Sequence, residues 1–70
     1  MLIDNPLCNG NPNAILMVTP NDVNYLNHSD YNHPICLDYN VPGFPAKWSI
    51  VLIGATIQVG MQFNVMIVNP

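Results

Sequence analysis

Apolar positions in this chain come in short blocks, and in most of them they alternate with polar ones. Residues 35–40 (ICLDYN) put Ile35, Leu37 and Tyr39 on one side and Cys36, Asp38 and Asn40 on the other. That is the period-two pattern of a half-buried strand. Residues 47–53 (KWSIVLI) separate Trp48, Ile50 and Leu52 from Lys47, Ser49, Val51 and Ile53. Residues 62–68 (QFNVMIV) separate Phe63, Val65 and Ile67 from Gln62, Asn64, Met66 and Val68. On that last outer face the pattern turns from polar to apolar, which predicts that one end of the strand is covered on both sides. Residues 14–19 (AILMVT) are almost wholly apolar and lie between Pro12 and Pro20. The prolines leave no room for a helix, so this block reads as a buried strand. Residues 56–59 read as a short edge strand ahead of Gly60, and Gly54 as a turn or bulge.

The segments between these blocks carry turn chemistry. Residues 1–13 hold Pro6, Gly10, Pro12 and several asparagines and read as irregular turns leading into the first strand. Residues 41–46 (VPGFPA) read as a turn in which Gly43 takes a positive φ. Residues 20–34 form a polar middle, expected to be a long loop with one turn of helix near 21–26; a loop this long in so small a domain is usually functional or packed by its own side chains. No stretch shows a sustained helical period, and β-branched and aromatic residues dominate the apolar set. The expectation is one all-β domain over residues 1–70, an antiparallel sandwich or barrel of about four to six strands. Completion of that fold by dimerisation or strand exchange is equally compatible with the pattern.

Composition sharpens this picture. The chain has 70 residues, too few for two cores, and a chain this short buries only roughly 60% of its unfolded surface. Charged residues make up 7% and apolar residues 50%, against about 25% charged in ordinary soluble domains. Few charges and much apolar surface predict a covering partner, most simply a second copy, so a homo-oligomer is expected. Net charge is −3, and Lys47 is the sole Lys or Arg. One lysine cannot displace counterions from a phosphate backbone, which excludes nucleic acid, and it does not hold an anionic membrane surface. No apolar run reaches the ~20 residues of a membrane-spanning helix. The N-terminus lacks a basic start and a long apolar core, so the chain reads as a cytosolic protein or as a mature form.

Several residues in order carry a family resemblance. They are Asn11-Pro12-Asn13-Ala14, Val18-Thr19-Pro20-Asn21, Tyr31-Asn32-His33-Pro34-Ile35, Lys47-Trp48-Ser49-Ile50, Gly60 and Phe63-Asn64-Val65. This set resembles a family of small, functionally uncharacterised β domains of bacterial extracellular or cell-surface proteins, found singly or as tandem repeats. The resemblance runs from about residue 4 to 68 and implies an all-β fold, a non-enzymatic role and an extracellular or cell-surface location. It brings no substrate. Where the family pattern carries Gly, Val and Trp, this chain has Cys36, Leu37 and Asp38. Where the family carries Phe-Asn-Gln, it has Val51, Leu52 and Ile53.

Candidate chemistry is sparse. His28, Asp30 and His33 have the ligand types for a transition metal, but such clusters in loops are commonly empty; the expectation is no metal and no cofactor. The four carboxylates, Asp4, Asp22, Asp30 and Asp38, have neither the spacing of a calcium loop nor a cleft for glycoside hydrolysis. On a strand, His33 and Cys36 point to opposite faces and make no dyad. Cys8 and Cys36 either form one bridge or pack as small thiols. Asn27-His28-Ser29 is a glycosylation sequon only in a eukaryotic secretory pathway. Trp48 shares the phase of Ile50 and Leu52 and belongs to the core.

With no catalytic constellation, an enzyme is not expected. One reading is an adhesive or carbohydrate-binding module that contacts neutral sugar through Asn21, Asn24, Tyr25, His28, Tyr31 and Asn32. The other is a structural module that self-associates through Val51, Ile53, Met66 and Val68.

Overall fold

The structure is a computed structural model of the chain and describes residues 1–23 and 31–69. Five strands run in the order β1 (Leu2–Ile3), β2 (Ile15–Pro20), β3 (Ile35–Tyr39), β4 (Trp48–Leu52) and β5 (Phe63–Val68). They form two antiparallel sheets, one of three strands in the order β1-β4-β3 and one pairing β2 with β5. The all-β expectation is met, and the two sheets pack face to face.

The alternation in β3 and β4 works as the sequence implies. Their register sets Ile35 opposite Leu52, Leu37 opposite Ile50 and Tyr39 opposite Trp48, so each pair shares the inward face. Tyr39 and Trp48 meet edge to face, with centroids 5.2 Å apart. The hairpin between the strands is closed by polar turn chemistry. Asn40, at φ 64°, donates its N–H to the Lys47 carbonyl at 2.9 Å, and its side-chain oxygen accepts from Ala46 N–H at 2.9 Å. Asn tolerates this left-handed backbone better than most residues. Gly43, at φ 86°, supplies the other turn.

From the opposite sheet, Leu16, Val18, Phe63 and Ile67 pack onto a centre made of Ile3, Cys8, Ala14 and Ile50. A second cluster, of Tyr31, Leu52 and Met61, continues the core toward one end, and Phe63 bridges the two. Ile50 is 1% exposed and sits on β4, which among the described strands is the one paired along both edges.

Three local expectations are corrected. The N-terminal segment is not wholly irregular, because Leu2 and Ile3 form a strand opposite Ser49 and Trp48; two residues are too short to show a period. Residues 56–59 are not a strand. Their backbone closes on itself, with Met61 N–H bonded to the Gln58 carbonyl at 3.2 Å, while Ile57 anchors the segment to both core clusters. β2 is not buried on both sides: Ile15 and Met17 are each 53% exposed, since a two-stranded sheet has only one covered face here.

The N-terminal loop is fastened by polar contacts. Asp4 Oδ1 accepts from Lys47 Nζ at 2.8 Å and from Asn9 Nδ2 at 2.8 Å. Gly10 N–H reaches the Ala46 carbonyl at 2.7 Å, tying the loop to the β3–β4 turn.

Two predictions follow from this packing. Replacing Ile50 by Val removes one fully enclosed methyl group and is expected to lower stability by about 1 kcal/mol, a fall in Tm of about 4–8 °C for a domain of this size. Ile53→Val, at an exposed site, is expected to stay within about 0.5 kcal/mol of the parent; thermal melts followed by circular dichroism check both. The hydrogen bonds from Lys47 and Asn9 and the Lys47 charge hold the Asp4 carboxyl below its ordinary 3.8. A depressed carboxylate stabilises the fold above its unfolded value and loses that contribution as pH falls through the folded one. The parent is therefore expected to be more stable than Asp4→Asn at pH 7 and equal to it near pH 2, as read from urea midpoints, with the difference shrinking in high salt.

Candidate functional site

The loop predicted to contact sugar is only partly within the described residues. Asn24, Tyr25 and His28 lie outside them, as do Asp30 and the Asn27-His28-Ser29 sequon. Tyr31 is described, and it is a core residue at 8% exposure. Its hydroxyl accepts from Gln62 N–H at 2.7 Å, and its ring meets Phe63 edge to face at 5.9 Å. A ring committed on its face and its hydroxyl in this way offers no stacking platform. Asn21 extends the β2–β5 pairing: its N–H bonds the Gln62 carbonyl at 2.9 Å and its amide reaches Asn64 Oδ1 at 3.3 Å. Asn32 is exposed. His33 is half-buried and gives its N–H to the Tyr31 carbonyl at 2.8 Å. Among the described residues, no three His, Cys, Asp or Glu side chains gather at metal-ligand distance.

The remaining aromatic and asparagine side chains are largely occupied in holding loops. Trp48 packs against the core as its phase implies, and its indole N–H donates to the Asn11 carbonyl at 3.1 Å. Asn5 and Asn11 accept from the N–H two residues on, at 2.9 and 3.1 Å, which are side-chain turns of the kind that favour Asn in loops. Asn11 also donates to Asn69 Oδ1, at 2.6 Å, joining the start of β2 to the end of β5.

The cysteines are both free. Cys8 is fully buried in the central cluster. Cys36 stands opposite Val51 on the outer face of the three-stranded sheet and donates to Asp38 Oδ1 at 3.3 Å. One thiol lies inside the sandwich and the other outside it, so the fold separates the pair. The contact with Asp38, helped by desolvation and the carboxylate's charge, raises the Cys36 thiol above its ordinary value and disfavours a reactive thiolate.

The residues predicted to form an interface fall on two surfaces. Val51 is half-buried on the outer face of the three-stranded sheet, and Ile53 is exposed just past the end of β4. Met66 and Val68 lie on the outer face of the other sheet, where they meet two residues that the sequence reading assigned to the interior. The β2–β5 register sets Ile15 opposite Val68 and Met17 opposite Met66. These four side chains are 53%, 43%, 53% and 57% exposed, in the order Ile15, Val68, Met17, Met66. They form a continuous apolar patch without a charged group. Thr19, Asn64 and Asn21 border it with a small polar network, in which Asn64 Nδ2 approaches Thr19 Oγ1 at 3.5 Å. The clue to Ile15 and Met17 lay in their alternation with Leu16 and Val18, which a wholly apolar strand conceals. Beside the end of β4, Ile50, Leu52, Ala55 and Ile57, with Met1, Val51 and Thr56, line an open depression.

This geometry is that of a small β sandwich with an uncovered apolar sheet face and no assembled catalytic group among the described residues. Among curated proteins and among solved structures, none matches the chain. Its sequence does fit one family over residues 1–67, and the chain belongs to that family, the domain of unknown function DUF7452.

Proposed function

We propose that this domain is a non-catalytic assembly module that associates with a second copy of itself through the outer face of the β2–β5 sheet. The observation that carries this reading is the patch of Ile15, Met17, Met66 and Val68, each side chain about half exposed or more than two-fifths exposed with no charge among them. Adjacent apolar residues of this kind on one sheet face mark interaction surfaces rather than ordinary solvent-facing sheet. A two-fold arrangement suits the patch, because an uncharged apolar face meets its own copy without repulsion. The flexible methionines adapt their packing to such a contact. The extracellular, repeat-borne setting that the family resemblance implies accords with a module whose partners are further copies. Carbohydrate binding by the 21–32 loop draws less support, since Tyr31 is built into the core and Asn21 is held by the sheet.

Light scattering on the purified domain tests the proposal. The wild-type mass at about 100 μM is expected to exceed the monomer's 7.8 kDa at least twofold. The double substitution Ile15→Lys with Met17→Lys is expected to lower that mass while the far-ultraviolet spectrum stays unchanged. Val51→Lys with Ile53→Lys, on the other sheet, is expected to leave it as it was. A wild-type monomer at every concentration would overturn the reading.

A further inference from the structure

A sheet of two strands has two free edges, and the hydrogen-bond phase fixes which backbone groups stand on each. The bond from Asn21 N–H to the Gln62 carbonyl continues the β2–β5 register by one step beyond Pro20 opposite Phe63. Hydrogen-bonded pairs alternate with unbonded ones in an antiparallel ladder. The bonded pairs are therefore Thr19 with Asn64, Met17 with Met66 and Ile15 with Val68. Pro20, which has no N–H, falls at an unbonded position, as that phase requires. The N–H and C=O groups of Phe63, Val65 and Ile67 consequently point away from β2. Among the described strands, β5 is paired with β2 alone.

Natural proteins protect such edges with charges, prolines, bulges or short strands. β5 uses none of these: it has six residues, with no charge and no proline. The other long edges are less open. β2 ends in Pro20, which removes a donor, and β3 carries the Asp38 carboxylate.

We infer that β5 is a second contact surface, along which two copies join antiparallel into one continuous four-stranded sheet, β2-β5-β5-β2. The occupant is a second β5 because this strand complements itself. A two-fold axis through Val65 sets Val65 opposite Val65 of the second copy, and Phe63 opposite Ile67 of the second copy. In that register the outward N–H and C=O groups of all three residues find partners, side chains of like character share each face, and no like charges meet. This goes beyond the proposed face contact. Two different two-fold contacts on one domain, a face and an edge, let assembly continue past a dimer, unlike either contact alone.

Hydrogen exchange by nuclear magnetic resonance, with light scattering, separates the two surfaces. The sample is the Ile15→Lys, Met17→Lys variant, in which the face is blocked and β5 is untouched. It is expected to remain a dimer, with the amides of Phe63, Val65 and Ile67 slowed at least tenfold between about 10 μM and 1 mM, a change of about 1.4 kcal/mol or more. Val65→Pro added to this background removes one outward N–H while sparing the β2 ladder, and is expected to yield a folded monomer. If the variant is a monomer whose three amides exchange freely at 1 mM, the edge contact is overturned and the face contact stands. If wild type and variant are both dimers of equal mass and the three amides are protected, the edge contact stands and the face contact is overturned. A dimer with those amides unprotected overturns the edge contact as well.

Discussion

The rest of this structure depends on the enclosure of Ile50. Its strand, β4, is among the described strands the one paired on both sides, with β1 along one edge and β3 along the other. Its side chain is pressed against Cys8, Ile3 and Ala14, with Leu16 and Val18 contributing from the opposite sheet. A chain of 70 residues cannot spread its apolar burial over many such sites, and a domain this small holds only roughly 3–5 kcal/mol of stability. One well-filled position therefore counts for a large share of the total, and both sheets are located by how they close over it.

The second sheet answers a different constraint. β2 and β5 come from opposite halves of the chain and pair over six positions, so forming them requires long loop closure before any contact is gained. Their inward face completes the core, but two strands leave no third element to cover the outward one. The fold thus leaves the outward apolar face of that sheet exposed. The remaining polar residues do quieter tasks. Asparagines shape turns, the Asp4 carboxylate fastens Lys47 and Asn9, and Tyr31 caps the end of the core through its bond with Gln62.

Chemistry is distributed in a way that agrees with this account. Cys8 is sealed inside and Cys36 is held as a thiol beside Asp38. What the domain does present is an uncharged patch of Ile15, Met17, Met66 and Val68 on one sheet face.

Much of the architecture could be read from residue order alone. The period-two alternation of 35–39, 48–52 and 63–68 places Leu37, Trp48, Ile50 and Phe63 inward, because a strand's side chains must alternate whatever it packs against. The turn at Gly43 was legible for the same local reasons, whereas the expectation that the apolar end of β5 is covered on both sides is not met, since Met66 and Val68 are 57% and 43% exposed. Nothing local could reveal that Leu2 and Ile3 would edge β4, that Ile57 would hold a loop rather than a strand, or that Tyr31 would point into the core. Those outcomes depend on which distant segment lies alongside. The wholly apolar β2 illustrates the limit best. Its sequence is silent on which face is covered, and only its pairing with β5, Ile15 to Val68 and Met17 to Met66, turned half of an expected interior strand into the exposed patch, because one neighbouring sheet can bury one side and no more.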